Sequence, residues 1–155
     1  MHDDAPGQVM FPVVFDSSAI FAALTSESGA SRQLFFSAYR AEIQPITCSY
    51  IIDEVVRNLN RKAPRAVPFF EQVLTVIDWR LVDLADDLVR DVSEIVEGKD
   101  APIVAAAIVA GNATVVTFDR RHLLRAAEVI LANFGVRVVE PGILLREIAD
   151  RSSSR

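Results

Sequence analysis

The sequence of 155 residues is poor in residues that cross-link small proteins or bind soft metals, with one cysteine, Cys48, and two histidines, His2 and His122. A single cysteine cannot form an internal disulfide, so a disulfide-stapled fold is excluded. No Cys/His spacing typical of a zinc site occurs. The longest apolar runs, near residues 10–15 and 101–110, are far shorter than the roughly 20 residues of a membrane-spanning helix. We therefore expect no membrane segment.

Signals for export and for two common kinds of active site are also absent. The opening residues Met-His-Asp-Asp-Ala-Pro lack the basic start and apolar core of a signal peptide, which favours a cytoplasmic location. No glycine-rich phosphate loop and no Gly-x-Ser-x-Gly turn occurs, so nucleotide-binding and serine-hydrolase functions lack support. The net charge of −5 excludes a global basic field, so a nucleic acid must meet a local positive patch.

The sequence does contain a large apolar fraction, 51%, which is enough for the core of one globular domain. We expect this domain at residues 9–150, with frayed ends at 1–8 and 151–155. Short apolar stretches alternate with helical patterns, which predicts a three-layer α/β/α fold with a mostly parallel sheet of about five strands. The predicted strands are residues 13–15, 43–48, 79–82, 114–118 and 136–139. The predicted helices are residues 17–24, 31–39, 49–59, 64–75, 85–96, 101–110, 121–131 and 141–150.

Four acidic residues are predicted to meet at one edge of this sheet. Asp16 directly follows the first strand and Asp119 the fourth, and the carboxyl ends of parallel strands lie at the same edge. The helix after Asp100 rises about 15 Å and the next strand returns about 17 Å, which brings Asp100 to the level of Asp119. Glu54, about one and a half turns into the helix after the second strand, can lean over the same edge.

Each of these acids also has an ordinary structural explanation. Asp100 precedes Ala-Pro and fits a helix N-cap, Glu54 fits a solvated helix face, and aspartates are common in turns. Their convergence indicates a site, because clustered carboxylates repel one another unless a cation neutralises them. Oxygen ligands without nearby cysteine or histidine suit Mg²⁺ or Mn²⁺ and disfavour zinc. We expect His122 on the surface, at the start of a helix.

Four sequence blocks carry a resemblance to a known family. The first is Val-Val-Phe-Asp-Ser-Ser-Ala-Ile-Phe-Ala-Ala-Leu at residues 13–24, and the second is Ser-Tyr-Ile-Ile-Asp-Glu-Val-Val-Arg-Asn-Leu at 49–59. The third is Lys-Asp-Ala-Pro-Ile-Val-Ala-Ala-Ala-Ile at 99–108, and the fourth is Val-Val-Thr-Phe-Asp at 115–119. In this order the blocks resemble the PIN domains of VapC-type toxins. The order is more specific than any one block.

The resemblance implies a parallel sheet between helices and an Mg²⁺- or Mn²⁺-dependent ribonuclease. The acids of the family fall on Asp16, Glu54, Asp100 and Asp119. Ser17 and Thr117 match polar positions that help to place metal-bound water or phosphate. The three aspartates would hold the metal, while the glutamate completes the shell or takes a proton from the attacking water. Arg121 stands where many members carry a further acid, which argues against a second tightly held metal.

The resemblance further implies a type II toxin that forms homodimers and is inhibited by a small antitoxin protein. Basic residues beside the acids are candidates for contact with the RNA substrate: Arg57, Arg61, Lys62, Arg120 and Arg121. Favourable charge at a helix end, or a solvated helix face, explains them equally well. Two other functions stay open. One is a catalytically silent PIN-like module that binds RNA or protein; the other, a phosphoacceptor receiver domain, lacks its lysine at a late strand end.

Overall fold

The centre of the fold is a five-stranded sheet in which every neighbouring pair of strands is parallel. The computed structural model describes residues 10–154, so the expected frayed arm 1–8 lies outside the described residues. The strand order is β3-β2-β1-β4-β5. The strands are β1 (Phe11–Phe15), β2 (Ile43–Thr47), β3 (Arg80–Leu81), β4 (Thr114–Val116) and β5 (Val138–Val139). The predicted parallel sheet of about five strands is confirmed.

Helices cover both faces of the sheet. Parallel crossovers are right-handed, so α1 to α4, which lead from β1 to β2 and β3, lie on one face, and α5 to α7 lie on the other. This confirms the three-layer α/β/α architecture. The helices are α1 (Ser17–Thr25), α2 (Ala30–Tyr39), α3 (Ser49–Lys62), α4 (Val67–Val76), α5 (Asp86–Ser93), α6 (Ala101–Val109), α7 (Ala127–Phe134) and α8 (Pro141–Ser153).

The two faces are packed in different ways. On the α2 face, the ring of Phe15 makes edge-to-face contacts with Phe35 and Trp79, with ring centroids 5.4 and 5.7 Å apart. On the other face, α6 is buried from Ala101 to Ala107, as expected for a helix that is apolar on every side. Within residues 10–154, no helix combines the length and the apolar character needed to cross a membrane.

β4 ends at Val116, two residues before the predicted end at Phe118. The amide of Phe118 donates to Ser18 Oγ at 3.1 Å, and the amide of Asp119 donates to Thr117 Oγ1 at 3.0 Å. These two amides are therefore paired with side chains instead of a neighbouring strand, which ends the ladder.

The helix predicted at residues 121–131 begins later, at Ala127. Asp119 Oδ1 accepts hydrogen bonds from the amides of Arg121 and His122, both at 3.1 Å, and so stabilises a turn in place of the first helical turn.

The last helix is longer than predicted and ends at Ser153. The hydroxyls of Ser152 and Ser153 donate to the carbonyls of Ile148 and Ala149, at 3.2 and 3.1 Å. The expected frayed tail at 151–155 is therefore wrong for residues 151–153, which are helical.

The order in which the chain adds strands to the sheet reverses between β1 and β4. From β1 the chain proceeds to β2 on one side, and from β4 it proceeds to β5 on the other side. Phe15 pairs with Val116, and the amide of Asp16 donates to the carbonyl of Val116 at 3.0 Å. In open parallel sheets the carboxyl ends of such strands flank a crevice that binds ligands.

Candidate metal centre

A cavity of about 300 Å³ opens at the carboxyl ends of β1 and β4. Five of the six predicted catalytic residues line it, and the sixth, Thr117, is fully buried with its hydroxyl bonded to a lining residue. The lining residues are Asp16, Ser17, Ser18, Phe21, Glu54, Asn58, Lys62, Lys99, Asp100 and Asp119. The four acids expected to converge therefore lie in one pocket.

Asp16 is buried and held at both carboxylate oxygens. Its Oδ1 accepts from the amide of Ser17 at 2.8 Å and thereby caps α1. Its Oδ2 accepts from the hydroxyls of Ser18, at 2.9 Å, and Thr117, at 2.7 Å. The carboxylate therefore has a fixed orientation at the mouth of the crevice.

Thr117 connects the first and fourth acids of the sequence. Its hydroxyl donates to Asp16 Oδ2 and accepts from the amide of Asp119. Since Thr117 is fully buried, its hydroxyl positions the acids from behind the cavity. Asp119 in turn uses Oδ1 for two backbone amides, and no group within residues 10–154 donates a hydrogen bond to its Oδ2.

Glu54 reaches the cavity from the flank of α3. Ile51, Val55 and Leu59 pack into the core, which places Glu54 at the border between the buried and exposed faces of the helix. Ser17 Oγ donates to Glu54 Oε1 at 2.7 Å. One carboxylate oxygen is therefore anchored to α1.

Asp100 is 6% exposed, and within residues 10–154 no group donates a hydrogen bond to its carboxylate. The N-cap explanation therefore fails, because this side chain does not cap α6. Burial raises the pKa of the Asp100 carboxyl to about 6; Lys99 opposes the increase, and the carboxylates of Asp119 and Asp16 add to it. A buried carboxylate without a partner needs a proton or a cation, and the surrounding oxygen ligands fit a hard divalent cation.

Among the predicted RNA-contacting residues, Lys62 lines the cavity and the others do not. Those outside its lining are Arg57, Arg61, Arg120 and Arg121. Arg120 instead forms an ion pair with Glu140, with 3.1 Å between Nε and Oε1. Positive charge at the mouth therefore comes from lysines, Lys62 and Lys99.

Sequence reasoning missed three polar lining residues, Ser18, Asn58 and Lys99. A periodic signal existed for one of them, because Asn58 and Lys62 follow Glu54 at intervals of four residues on one face of α3. A local signal also existed for Lys99, because it directly precedes Asp100 in the sequence. The carbonyl of Lys99 accepts from the hydroxyl of Tyr50 at 2.9 Å.

The expectation that His122 lies exposed at a helix start, with no histidine near the acids, was wrong. His122 is half-buried against Glu97, and its ring lies close to the Asp100 carboxylate, so the acids do have a histidine nearby. The turn fixed by Asp119 produces this proximity, because it replaces the exposed helix start that the sequence predicted.

Comparison with known proteins agrees with the fold and gives the family. Residues 12–121, more than half of the chain, match the family model described as PIN domain, so the chain belongs to the PIN domain family. PIN domains are generally metal-dependent nucleases. The fold is similar to the crystal structure of PAE2754 from Pyrobaculum aerophilum, with a TM-score of 0.62 and 20% identity over 92% of this chain and 99% of that chain. None of the curated proteins compared with the chain matches it.

Proposed function

We propose that the protein is an Mg²⁺- or Mn²⁺-dependent endoribonuclease that cleaves RNA phosphodiester bonds. The observation that best supports this proposal is that the buried Asp100 carboxylate, without a hydrogen-bond partner in residues 10–154, shares one cavity with three other acids. Asp16, Asp100 and Asp119, with Glu54, would hold the ion. Such an ion, when bound, stabilises negative charge on phosphate oxygens and lowers the pKa of water.

The chain's own residues would divide the remaining work. Glu54 has Oε1 anchored by Ser17, and within residues 10–154 no group donates to Oε2, so Oε2 would complete the shell of the ion or take a proton from the attacking water. Lys62 and Lys99 at the cavity mouth would bind the phosphate backbone. Thr117 would keep Asp16 oriented through the bond at 2.7 Å.

Asp100→Asn is the sharpest test, because this carboxylate accepts no hydrogen bond in residues 10–154 and an amide of equal shape leaves the packing intact. RNA is incubated with the purified protein and Mn²⁺, Mg²⁺ or EDTA, and the cut ends are mapped. We expect metal-dependent cuts in the wild type and a loss of at least about 100-fold in Asp100→Asn. Asp53→Asn, an exposed aspartate on α3, is the matched control and should cleave normally.

The opposite result would favour the catalytically silent module. If the wild type binds RNA equally in Mn²⁺ and EDTA and yields no cuts, the catalytic assignment is wrong. If Asp100→Asn cleaves as fast as Asp53→Asn, the metal-ligand assignment is wrong.

We further propose that residues 9–150 act as one nuclease domain in the cytoplasm and serve as the toxin of a type II toxin-antitoxin pair. The four blocks that resemble VapC-type toxins support the subtype. An apolar groove between α2 and α4, where Phe36, Tyr39 and Val76 are exposed, supports a protein partner, and we assign it to the antitoxin. Expression should arrest growth, and a neighbouring small gene product should relieve the arrest; harmless expression of folded protein would contradict the toxin role.

The proposed homodimer is tested separately by light scattering. We expect a dimer that persists in Tyr39→Ser, because this substitution alters the groove assigned to the antitoxin. A dimer that dissociates in this variant would instead assign the groove to a second copy of the chain. A monomeric wild type would contradict the homodimer.

A further inference from the structure

A second group of potential metal ligands lies beside the candidate metal centre. One ligand atom each from Glu97, Asp100 and His122 lies within 4.8 Å of the others. Glu97 precedes α6, and its carbonyl accepts from the amide of Asp100 at 2.9 Å. His122 is placed by its amide, which donates to Asp119 Oδ1 at 3.1 Å. These hydrogen bonds hold the backbones that carry Glu97, Asp100 and His122 in place.

The Asp100 carboxylate favours a bound cation in this group, because the ion pair between the other two side chains leaves it without a partner in residues 10–154. His122 Nδ1 lies 3.1 Å from Glu97 Oε2, which accounts for those two side chains. Asp100, at 6% exposure, remains without a hydrogen bond from residues 10–154, although its carboxylate belongs to the same group. A buried carboxylate turned toward a carboxylate and an imidazole supplies the mixed oxygen and nitrogen ligands that first-row transition metals accept and Mg²⁺ disfavours.

The surroundings of the group also suit a substrate phosphate. Arg121 and Arg125 line the same depression as Glu97, Asp100 and His122. Guanidinium groups bind phosphate oxygens, and a divalent cation beside them would bind the same oxygens as ligands. The arginine that stands in place of a further acid therefore need not exclude a second ion, because the chain offers other ligands for it.

We propose that Glu97, Asp100 and His122 bind a second divalent ion of the first transition series next to the candidate metal centre, with Asp100 common to both sets of ligands. The role of this ion in cleavage rests on the proposed function, whereas its binding is independent of it. The site would favour ions of the first transition series, including Mn²⁺, over Mg²⁺, because Mg²⁺ keeps its waters and takes oxygen ligands, whereas those ions also accept an imidazole nitrogen.

The first test measures stoichiometry by equilibrium dialysis of the metal-free, full-length protein against Mn²⁺, with folding of each variant checked by circular dichroism. We expect two ions in the wild type. His122→Gln and Glu97→Gln should each weaken one of the two sites at least about tenfold. Glu94→Gln, an exposed glutamate three residues before Glu97, is the matched control and should bind as the wild type does. Glu54→Gln should weaken the other site.

The second test follows the imidazole itself by ¹⁵N NMR during a titration with Zn²⁺, which is diamagnetic. The chain has two histidines, so His2→Gln leaves the ring of His122 as the one histidine signal. We expect one ring nitrogen of His122 to shift to a metal-bound position, and the shift should weaken in Glu97→Gln and persist in Glu94→Gln.

The outcomes separate this inference from the proposed function. One ion that Glu54→Gln weakens and His122→Gln does not, with an unshifted His122 ring, overturns the second site and leaves the nuclease proposal standing. One ion that His122→Gln weakens and Glu54→Gln does not supports the second site and contradicts the proposed centre. No bound ion in a folded wild type overturns both.

Discussion

Replacing Thr117 with valine removes the hydroxyl that joins the loops after β1 and β4. This hydroxyl donates to Asp16 Oδ2 at 2.7 Å and accepts from the amide of Asp119 at 3.0 Å, in a residue with no exposed surface. A hydrogen bond to a charged group contributes about 1.5–3 kcal/mol, and a neutral one about 0.5–1.5 kcal/mol. Since the two losses partly overlap, we expect Thr117→Val to lower the free energy of unfolding by about 2–4 kcal/mol.

Thr47→Val is a matched control on the neighbouring strand β2. Thr47 is 1% exposed, and its hydroxyl has no hydrogen-bond partner within residues 10–154. The same exchange of a hydroxyl for a methyl group removes a buried polar atom without breaking a bond. The free energy of unfolding should therefore stay unchanged or rise by up to about 1 kcal/mol.

The assay is urea denaturation followed by circular dichroism, in EDTA so that no metal ion contributes. Free energies are compared at equal slope with denaturant concentration. If Thr117→Val is as stable as Thr47→Val, the hydroxyl network does not hold the two loops together. In that case the fixed orientation assigned to Asp16 would also lack its physical basis.

Three further predictions address the acids, the lysines and a backbone turn. Because burial raises the pKa of Asp100 to about 6, the metal-free folded state keeps a proton that the unfolded state releases. The free energy of unfolding should therefore fall as pH rises from about 4 to about 6. Asp100→Asn should abolish this fall and raise the free energy of unfolding by about 2 kcal/mol at pH 7, as measured by urea titration. Lys62→Gln should lower the salt slope of RNA binding by about 1, whereas Arg61→Gln, outside the cavity, should not; equal slopes would contradict the assignment. Gly135→Ala should cost about 1 kcal/mol and lower the melting temperature by about 3 °C, because Gly135 has φ +66°, while Gly98→Ala, with open space around it, should change little.

Much of the fold could be predicted because its causes are local. Alternating strand and helix patterns indicated a parallel sheet between helices, and the uniformly apolar sequence of α6 indicated a helix buried on all sides. Element boundaries were less predictable. The end of β4 depends on a hydroxyl of Ser18, about 100 positions away, which takes the amide of Phe118.

The order of the acids along the chain, and the positions of Asp16 and Asp119 after strands, were determined by the sequence. Strand direction alone decides which ends of parallel strands meet. The tertiary structure decided what each acid contacts. Periodicity predicts which face of an element is buried, but a hydrogen bond between distant residues depends on how the elements pack. Packing thus leaves Asp100 without a hydrogen-bond donor in residues 10–154, assigns the cavity mouth to lysines in place of the arginines, and turns His122 toward Asp100.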